Sequence, residues 1–198
     1  MPEPGSSADR EPSAAAARGI RWDALAAIIA ALVGLLALCV SAYTAYIQRQ
    51  QVRAQVWPYL LVGNNDSTQS IDVGNKGVGP AIVKTAQVFI DGTPQTTWSN
   101  VLAALGLPAH GYSQSTLNPN VLSAGEELQI IRIPDKDRWQ AFRVAAVGRM
   151  ALDVCYCSTL GECWLYHDDH PVGYKSIAQL VHAVDRCPRL PEAEVFNN

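Results

Sequence analysis

One uninterrupted apolar run dominates the hydrophobic pattern of this chain. Residues 24–47 carry no charged side chain, and Asp23 and Arg49 lie close to its two ends. At about 1.5 Å per residue, a helix of this length exceeds the roughly 30 Å hydrocarbon core of a bilayer. A cleaved signal peptide would have an apolar region of only about 7–15 residues. The pattern therefore predicts one transmembrane helix over residues 24–47 and a single-pass topology.

The polar segments beside this run predict the flanks of the membrane span. Residues 1–23 are rich in Pro, Ser, Ala and charged residues, which predicts a disordered tail. Residues 48–56 are good helix formers and predict a helical extension that ends before Pro58. Three arginines precede the run and two follow it closely, which favours a cytoplasmic amino terminus.

Beyond residue 56 the pattern changes to short apolar stretches separated by turn residues. This change predicts a β-rich domain over residues 57–198, with strands at 59–63, 70–73, 81–90, 127–133, 149–158 and 163–167 and short helices at 98–107, 137–147 and 176–184. Short strands with minor helices fit an immunoglobulin-like β-sandwich better than a doubly wound fold. The predicted class is therefore mainly β, with an amino-terminal transmembrane helix before the sandwich.

Charge and motifs restrict the function. Residues 57–198 contain ten basic and fourteen acidic side chains, so no basic surface for nucleic acid is expected. No nucleophile elbow, phosphate-binding loop or zinc-protease signature occurs. The glycine-rich stretch 77–80 lacks the Lys-Ser/Thr pair of a phosphate cradle and predicts a turn or bulge. We therefore expect neither an enzyme nor a cofactor, and the expected partners are the bilayer and another membrane protein or a second copy.

Four cysteines lie in the predicted domain, an even number that fits an oxidising compartment. Cys155 and Cys157 are two residues apart and face one side of a strand. A three-residue turn places Cys157 opposite Cys163, which leaves Cys155 to reach Cys187. The sequence thus favours the bridges Cys157–Cys163 and Cys155–Cys187, with Cys39 as a packing residue in the membrane helix.

Two other uses of these cysteines stay open. Cys155, Cys157 and Cys163 lie near His167 and His170, and zinc favours thiolate and imidazole ligands. The Cys-x-Cys spacing is unusual for zinc, and Cys187 would then have no role. A redox-active Cys-x-Cys pair would need an electropositive setting, whereas Asp153 is close in sequence.

Small residues recur on the predicted membrane helix. Such residues let two helix backbones approach closely in lipid. The candidate packing stripe is Ala26, Ala30, Gly34, Ser41 and Ala45.

Two segments carry a resemblance to a family. Residues 75–81, NKGVGPA, precede a Val-rich strand that ends in Asp-Gly, and residues 155–158, CYCS, are followed by Glu-Cys-Trp at 162–164. Together they resemble segments of uncharacterised bacterial single-pass membrane proteins, over most of residues 50–190. The resemblance implies an anchored, immunoglobulin-like domain without an assigned activity.

The expected function is that of an interaction or accessory protein of the bacterial inner membrane, with its carboxy-terminal domain in the periplasm. The alternatives are a periplasmic domain that binds a ligand or metal, and a thiol oxidoreductase.

Overall fold

A long helix opens the part of the chain that can be described. The computed structural model describes residues 22–168, 177–191 and 194–197. Helix α1 (Trp22–Gln55) begins two residues before the predicted span and includes most of the predicted extension. None of its residues is buried, and it is long and apolar enough to cross a membrane. The predicted disordered tail lies outside the described residues, except for Trp22 and Asp23, which are helical.

The chain divides into two compact units at the end of the apolar run, Met1–Ile47 and Gln48–Asn198. The second unit contains ten strands within the described residues, and all their pairings are antiparallel. The strands are β1 (Leu60–Asn65), β2 (Ser70–Asn75), β3 (Ala81–Ile90), β4 (Thr93–Gln95), β5 (Ser113–Gln114), β6 (Asn120–Leu122), β7 (Glu127–Arg132), β8 (Met150–Cys157), β9 (Cys163–Asp168) and β10 (Val181–Val184).

The strands form two sheets that share one core. The first sheet has the order β1-β2-β7-β5, and the second has the order β10-β9-β8-β3-β4, with β6 also paired to β3. Alternate residues of β8, from Met150 to Tyr156, are buried against residues of the first sheet such as Val73 and Ile131. The Tyr156 hydroxyl accepts a hydrogen bond from the Leu60 backbone amide at 3.3 Å, which connects the two sheets directly.

Two short helices close the core. Helix α2 (Trp98–Ala104) is capped by Thr97, and helix α3 (Lys136–Ala146) is capped by Asp135. The prediction for α2 ran too far, to residue 107. The helix stops earlier because Gly106 has a φ of 76° and Leu107 donates from its backbone amide to the Leu102 carbonyl, the bonding of a Schellman motif.

The predicted strands are confirmed, whereas the predicted carboxy-terminal helix is only partly correct. Each of the six predicted strands is present, with ends within two residues of those predicted. The Asp91-Gly92 turn joins β3 to β4 with two positive φ angles, as an Asp-Gly hairpin requires. The predicted helix over 176–184 is wrong in its second half: α4 (Ile177–Leu180) is followed by β10, because residues 181–184 pair with the edge of β9.

Candidate functional site

Three of the four domain cysteines lie on strands β8 and β9 of the second sheet, and the fourth, Cys187, follows β10. The β8–β9 register places Cys157 opposite Cys163, with an S–S distance of 2.10 Å and a Cα–Cα distance of 4.0 Å. Cys155 is bonded to Cys187 with an S–S distance of 2.05 Å, across 32 residues of sequence. These are the two pairs that the sequence favours. Cys39 is exposed on α1 and is the free cysteine of the described residues.

The two bridges are close enough for their sulfurs to form one group. Cys157 Sγ lies 3.8 Å from Cys187 Sγ, although they belong to different bridges. The sulfurs of Cys157, Cys163 and Cys187 all lie within 4.8 Å of one another. Cys155 is fully buried and Cys157 and Cys163 nearly so. While both bridges are intact, no thiolate is present to act as a nucleophile or metal ligand.

His167, one of the two histidines in the zinc hypothesis, lies apart from this group of sulfurs. His167 lies on β9 opposite Asp153, with Nδ1 2.5 Å from Asp153 Oδ1. Four residues of extended strand, about 13 Å, separate His167 from Cys163. The strand therefore does not bring them together. His170 and Asp169 lie outside the described residues.

A second group of contacts holds the segment that follows α1, residues 56–59, here called the linker. Asn75 is fully buried at the end of β2. Its Oδ1 accepts from the backbone amides of Tyr59 (3.1 Å) and Gly77 (3.0 Å). Its Nδ2 donates to the carbonyls of Gly79 (2.8 Å) and Leu122 (3.0 Å). The Asn75 amide thus makes all four of its possible hydrogen bonds, and it connects the linker, the turn after β2 and strand β6.

The turn after Asn75 needs residues without a side chain, because the backbone of the preceding segment lies close to it. The turn, residues 75–80, donates from the Lys76 and Val78 backbone amides to linker carbonyls at 2.8 and 3.0 Å. A Cβ on Gly77 would overlap the backbone of Trp57, and one on Gly79 would overlap the backbone of Val56. The predicted turn is confirmed. Its contact with the linker was missed, because sequence spacing alone does not show which backbone approaches it.

The exposed face of the first sheet carries an open groove of about 490 Å³. Lys76 and Glu127 form an ion pair at one side of the groove. At the other side Asp66 accepts from Trp139 Nε1 at 2.8 Å and from Arg143 at 2.6 Å. The sheet order ends at β1, so within the described residues no strand covers its outer edge. The groove is lined by Leu61, Val62, Gly63, Asn64, Asn65, Asp66, Ser67, Asp72, Gly74, Lys76 and Glu127.

A smaller apolar cavity of about 280 Å³ lies between α2 and α3. Its lining includes Leu102, Ile133 and Arg138. The Arg138 guanidinium already donates to the Pro108 and His110 carbonyls, which ties the connecting loop to α3.

The predicted packing stripe lies on one face of α1. At 3.6 residues per turn its five members fall within about 100° of one another around the helix. The Ser41 hydroxyl donates to the Ala37 carbonyl at 2.8 Å, so this polar group is satisfied inside its own helix. Among the described residues, no atom apart from its chain neighbours and the adjacent backbone of α1 lies within 4 Å of the position that a Cβ on Gly34 would take.

Comparison of the chain with models of protein families, with curated proteins and with solved structures finds no match. The resemblance to single-pass bacterial proteins therefore stays a prediction.

Proposed function

We propose that this chain is a membrane-anchored interaction or accessory protein of the bacterial inner membrane, which acts by contacting another protein. The observation that carries the proposal is the groove on the first sheet beside the unpaired edge of β1. Extended segments of a partner can pair with such an edge through backbone hydrogen bonds. The apolar, unburied helix α1 supports a membrane anchor for the domain that bears the groove.

The strand order supports an immunoglobulin-like sandwich as the scaffold. The order β1-β2-β7-β5 corresponds to strands A-B-E-D of such a fold, and β3-β8-β9 corresponds to C-F-G. Strand β4 takes the place of C′, and β10 adds a strand beyond G. The bridges differ from the usual pattern: one joins β8 to β9, the other joins β8 to the segment after β10, and neither joins the two sheets.

The proposed topology has a cytoplasmic amino terminus and a periplasmic domain. The arginine asymmetry of the flanks and the two cysteine bridges support it, because bridges persist in oxidising compartments. A reporter enzyme that works only in the periplasm, fused after Asn198, should be active. Activity solely from a cytoplasmic reporter at that position would contradict the topology.

The contact surface can be tested by site-specific photocrosslinking in native membranes. Gly63 is exposed in β1, and a side chain there meets open space, so a photoreactive residue at this position fits the fold. Val144 is 79% exposed on α3 and serves as the matched control. We expect a discrete adduct from position 63 and none from position 144. Equal yields, or no adduct from position 63, would argue against this groove as the contact surface.

The small-residue stripe is proposed as the helix-packing face, toward a second copy or a partner helix. In lipid, association depends on close backbone approach, so a bulky residue at Gly34 should weaken it. A Gly34→Ile variant should lose association in a membrane assay while still inserting. Leu32→Ile, on another face, is the control, and equal association of both variants and the parent would reject the stripe.

A further inference from the structure

Three of the four domain sulfurs, those of Cys157, Cys163 and Cys187, lie within 4.8 Å of one another, and Cys155 Sγ is bonded to Cys187 Sγ at 2.05 Å. We propose that reduction of both bridges converts them into a tetrathiolate site for a soft divalent cation such as Zn²⁺. The site would consist of Cys155, Cys157, Cys163 and Cys187. This inference is independent of the partner contact proposed above, since it concerns the second sheet and not the groove.

The distances between the bridges support this conversion. In a tetrahedral zinc site with Zn–S bonds of about 2.3 Å, neighbouring sulfurs lie about 3.8 Å apart. Cys157 Sγ and Cys187 Sγ are already 3.8 Å apart without a bond between them. Cys163 Sγ lies within 4.8 Å of both. Each bonded pair must separate by less than 2 Å, and Cys155 Sγ, which lies outside this group of three, must turn toward Cys157 and Cys163. Side-chain rotation about Cα–Cβ can supply both movements.

The backbone positions and local charge also suit a thiolate site. Three of the ligands lie on the paired strands β8 and β9, whose register does not depend on the bridges alone. Cys187 lies between Arg186 and Arg189, and both arginines are exposed. Their positive charge favours thiolates and counters the net charge of minus two on a zinc ion with four thiolates, whereas the carboxylates of Asp153, Glu162 and Asp185 nearby in sequence act in the opposite direction. Burial of the other three cysteines limits hydrolysis and exchange with water.

The conversion takes place in two steps, reduction and then metal binding, and electrons and protons balance in each. Each bridge takes two electrons and two protons from a dithiol reductant, which is left as a disulfide. The four resulting thiols then bind one Zn²⁺ and release four protons, so binding should strengthen as pH rises.

Cobalt is the probe, because Co²⁺ bound to four thiolates gives sulfur-to-metal charge-transfer bands and intense visible bands. The experiment uses the full chain in detergent with Cys39→Ala, so that the only thiols are those of the bridges. We expect no thiolate bands from the oxidised protein and one equivalent of bound Co²⁺ after anaerobic reduction. Added Zn²⁺ should bleach the bands, and circular dichroism should retain its β signal.

Ligand variants decide the assignment. Cys163→Ala and Cys187→Ala should each weaken Co²⁺ binding at least tenfold after reduction, whereas His167→Ala should bind as the parent does. The proposal is overturned if the reduced parent gives no thiolate bands at one equivalent. It is equally overturned if Cys187→Ala keeps the full spectrum, or if the β signal is lost on reduction and not regained with the metal.

Discussion

Two segments at opposite ends of the second unit are fastened to it by different chemistry. The linker, residues 56–59, is held by hydrogen bonds to Asn75 and the turn that follows it. The carboxy-terminal segment, residues 181–191, is held by the pairing of β10 with β9 and by the Cys155–Cys187 bridge. The two attachments have no residue in common.

The two attachments depend on different conditions. The linker contacts need a folded β2 and a dry environment around Asn75, and they are unaffected by redox state. The carboxy-terminal attachment needs an oxidising compartment for its covalent part. A domain beside a membrane anchor thus holds its first segment without a bridge and uses both bridges for its last hairpin and tail.

The largest effect is expected from removing the Cys155–Cys187 bridge. Its loop spans 32 residues, so the double variant Cys155→Ala/Cys187→Ala should lose about 4 kcal/mol of stability by the loop-entropy argument. Denaturant unfolding measures the loss. Hydrogen exchange should quicken in residues 181–191 and stay unchanged in the linker. Faster exchange in the linker alone would show that this bridge holds the linker and not the carboxy-terminal segment.

Replacement of Asn75 by Ala should cost about 3 kcal/mol, because four backbone groups, two of them in buried hydrogen bonds and two in partly buried ones, each lose a partner. Here hydrogen exchange should quicken at Tyr59 and Gly77, with the carboxy-terminal segment unchanged. Asn64→Ala, at an exposed position of β1, is the control and should stay within about 0.5 kcal/mol of the parent. A stability loss shared equally by both variants would show that Asn75 has no special role.

Removing the Cys157–Cys163 bridge should have a smaller effect. Its cysteines are only six residues apart, so Cys157→Ala/Cys163→Ala should lose about 2 kcal/mol. The test compares its denaturation midpoint with that of the Cys155–Cys187 variant. If the short bridge stabilises the domain more than the long one, loop entropy does not explain the difference between their contributions to stability.

The smallest effect on stability is expected from Tyr156, which lies between two bridged cysteines. Its hydroxyl accepts a hydrogen bond from the backbone amide of Leu60, the residue that follows the linker. Burial raises its pKa to about 12, and burial also raises the pKa of Tyr166. Because unfolded tyrosine ionises near pH 10, the stability that this shift supplies is present below about pH 10 and lost as pH rises toward 12.

Tyr156→Phe should therefore lose about 1 kcal/mol at neutral pH and fall less steeply than the parent above pH 10. Unfolding measured from pH 7 to 12 gives both quantities. An unchanged alkaline slope would show that Tyr156 ionises no less readily when folded.

Local patterns in the sequence predicted the parts of this fold that depend on local chemistry. The apolar run predicted α1, the stretch rich in Val and Ile predicted β3, and the alternating residues predicted β8. The Asp91-Gly92 pair correctly predicted a hairpin. The cysteine pairs followed from strand spacing, since Cys157 and Cys163 face each other across a short turn.

Features that depend on distant parts of the chain were not predictable in this way. Strand β10 exists because β9 offers an edge to pair with, and residues 181–184 alone read as helix. Strands β5 and β6, of two and three residues, are too short to show a pattern. The role of Asn75 required the linker, β6 and the glycine turn to meet at one place. An asparagine that ends a strand gives no sign of this in the sequence.

We expect two bridges in the native protein because the proposed topology places the domain outside the cytoplasm, with Cys155–Cys187 as the covalent attachment of the carboxy-terminal segment. The most direct measurement counts free thiols in the full chain, denatured from native membranes without reductant. The account predicts that one cysteine of the five, Cys39, is alkylated before reduction and all five after it. Peptide mapping should then recover Cys155 with Cys187 and Cys157 with Cys163. Five alkylated cysteines before reduction would contradict the claim.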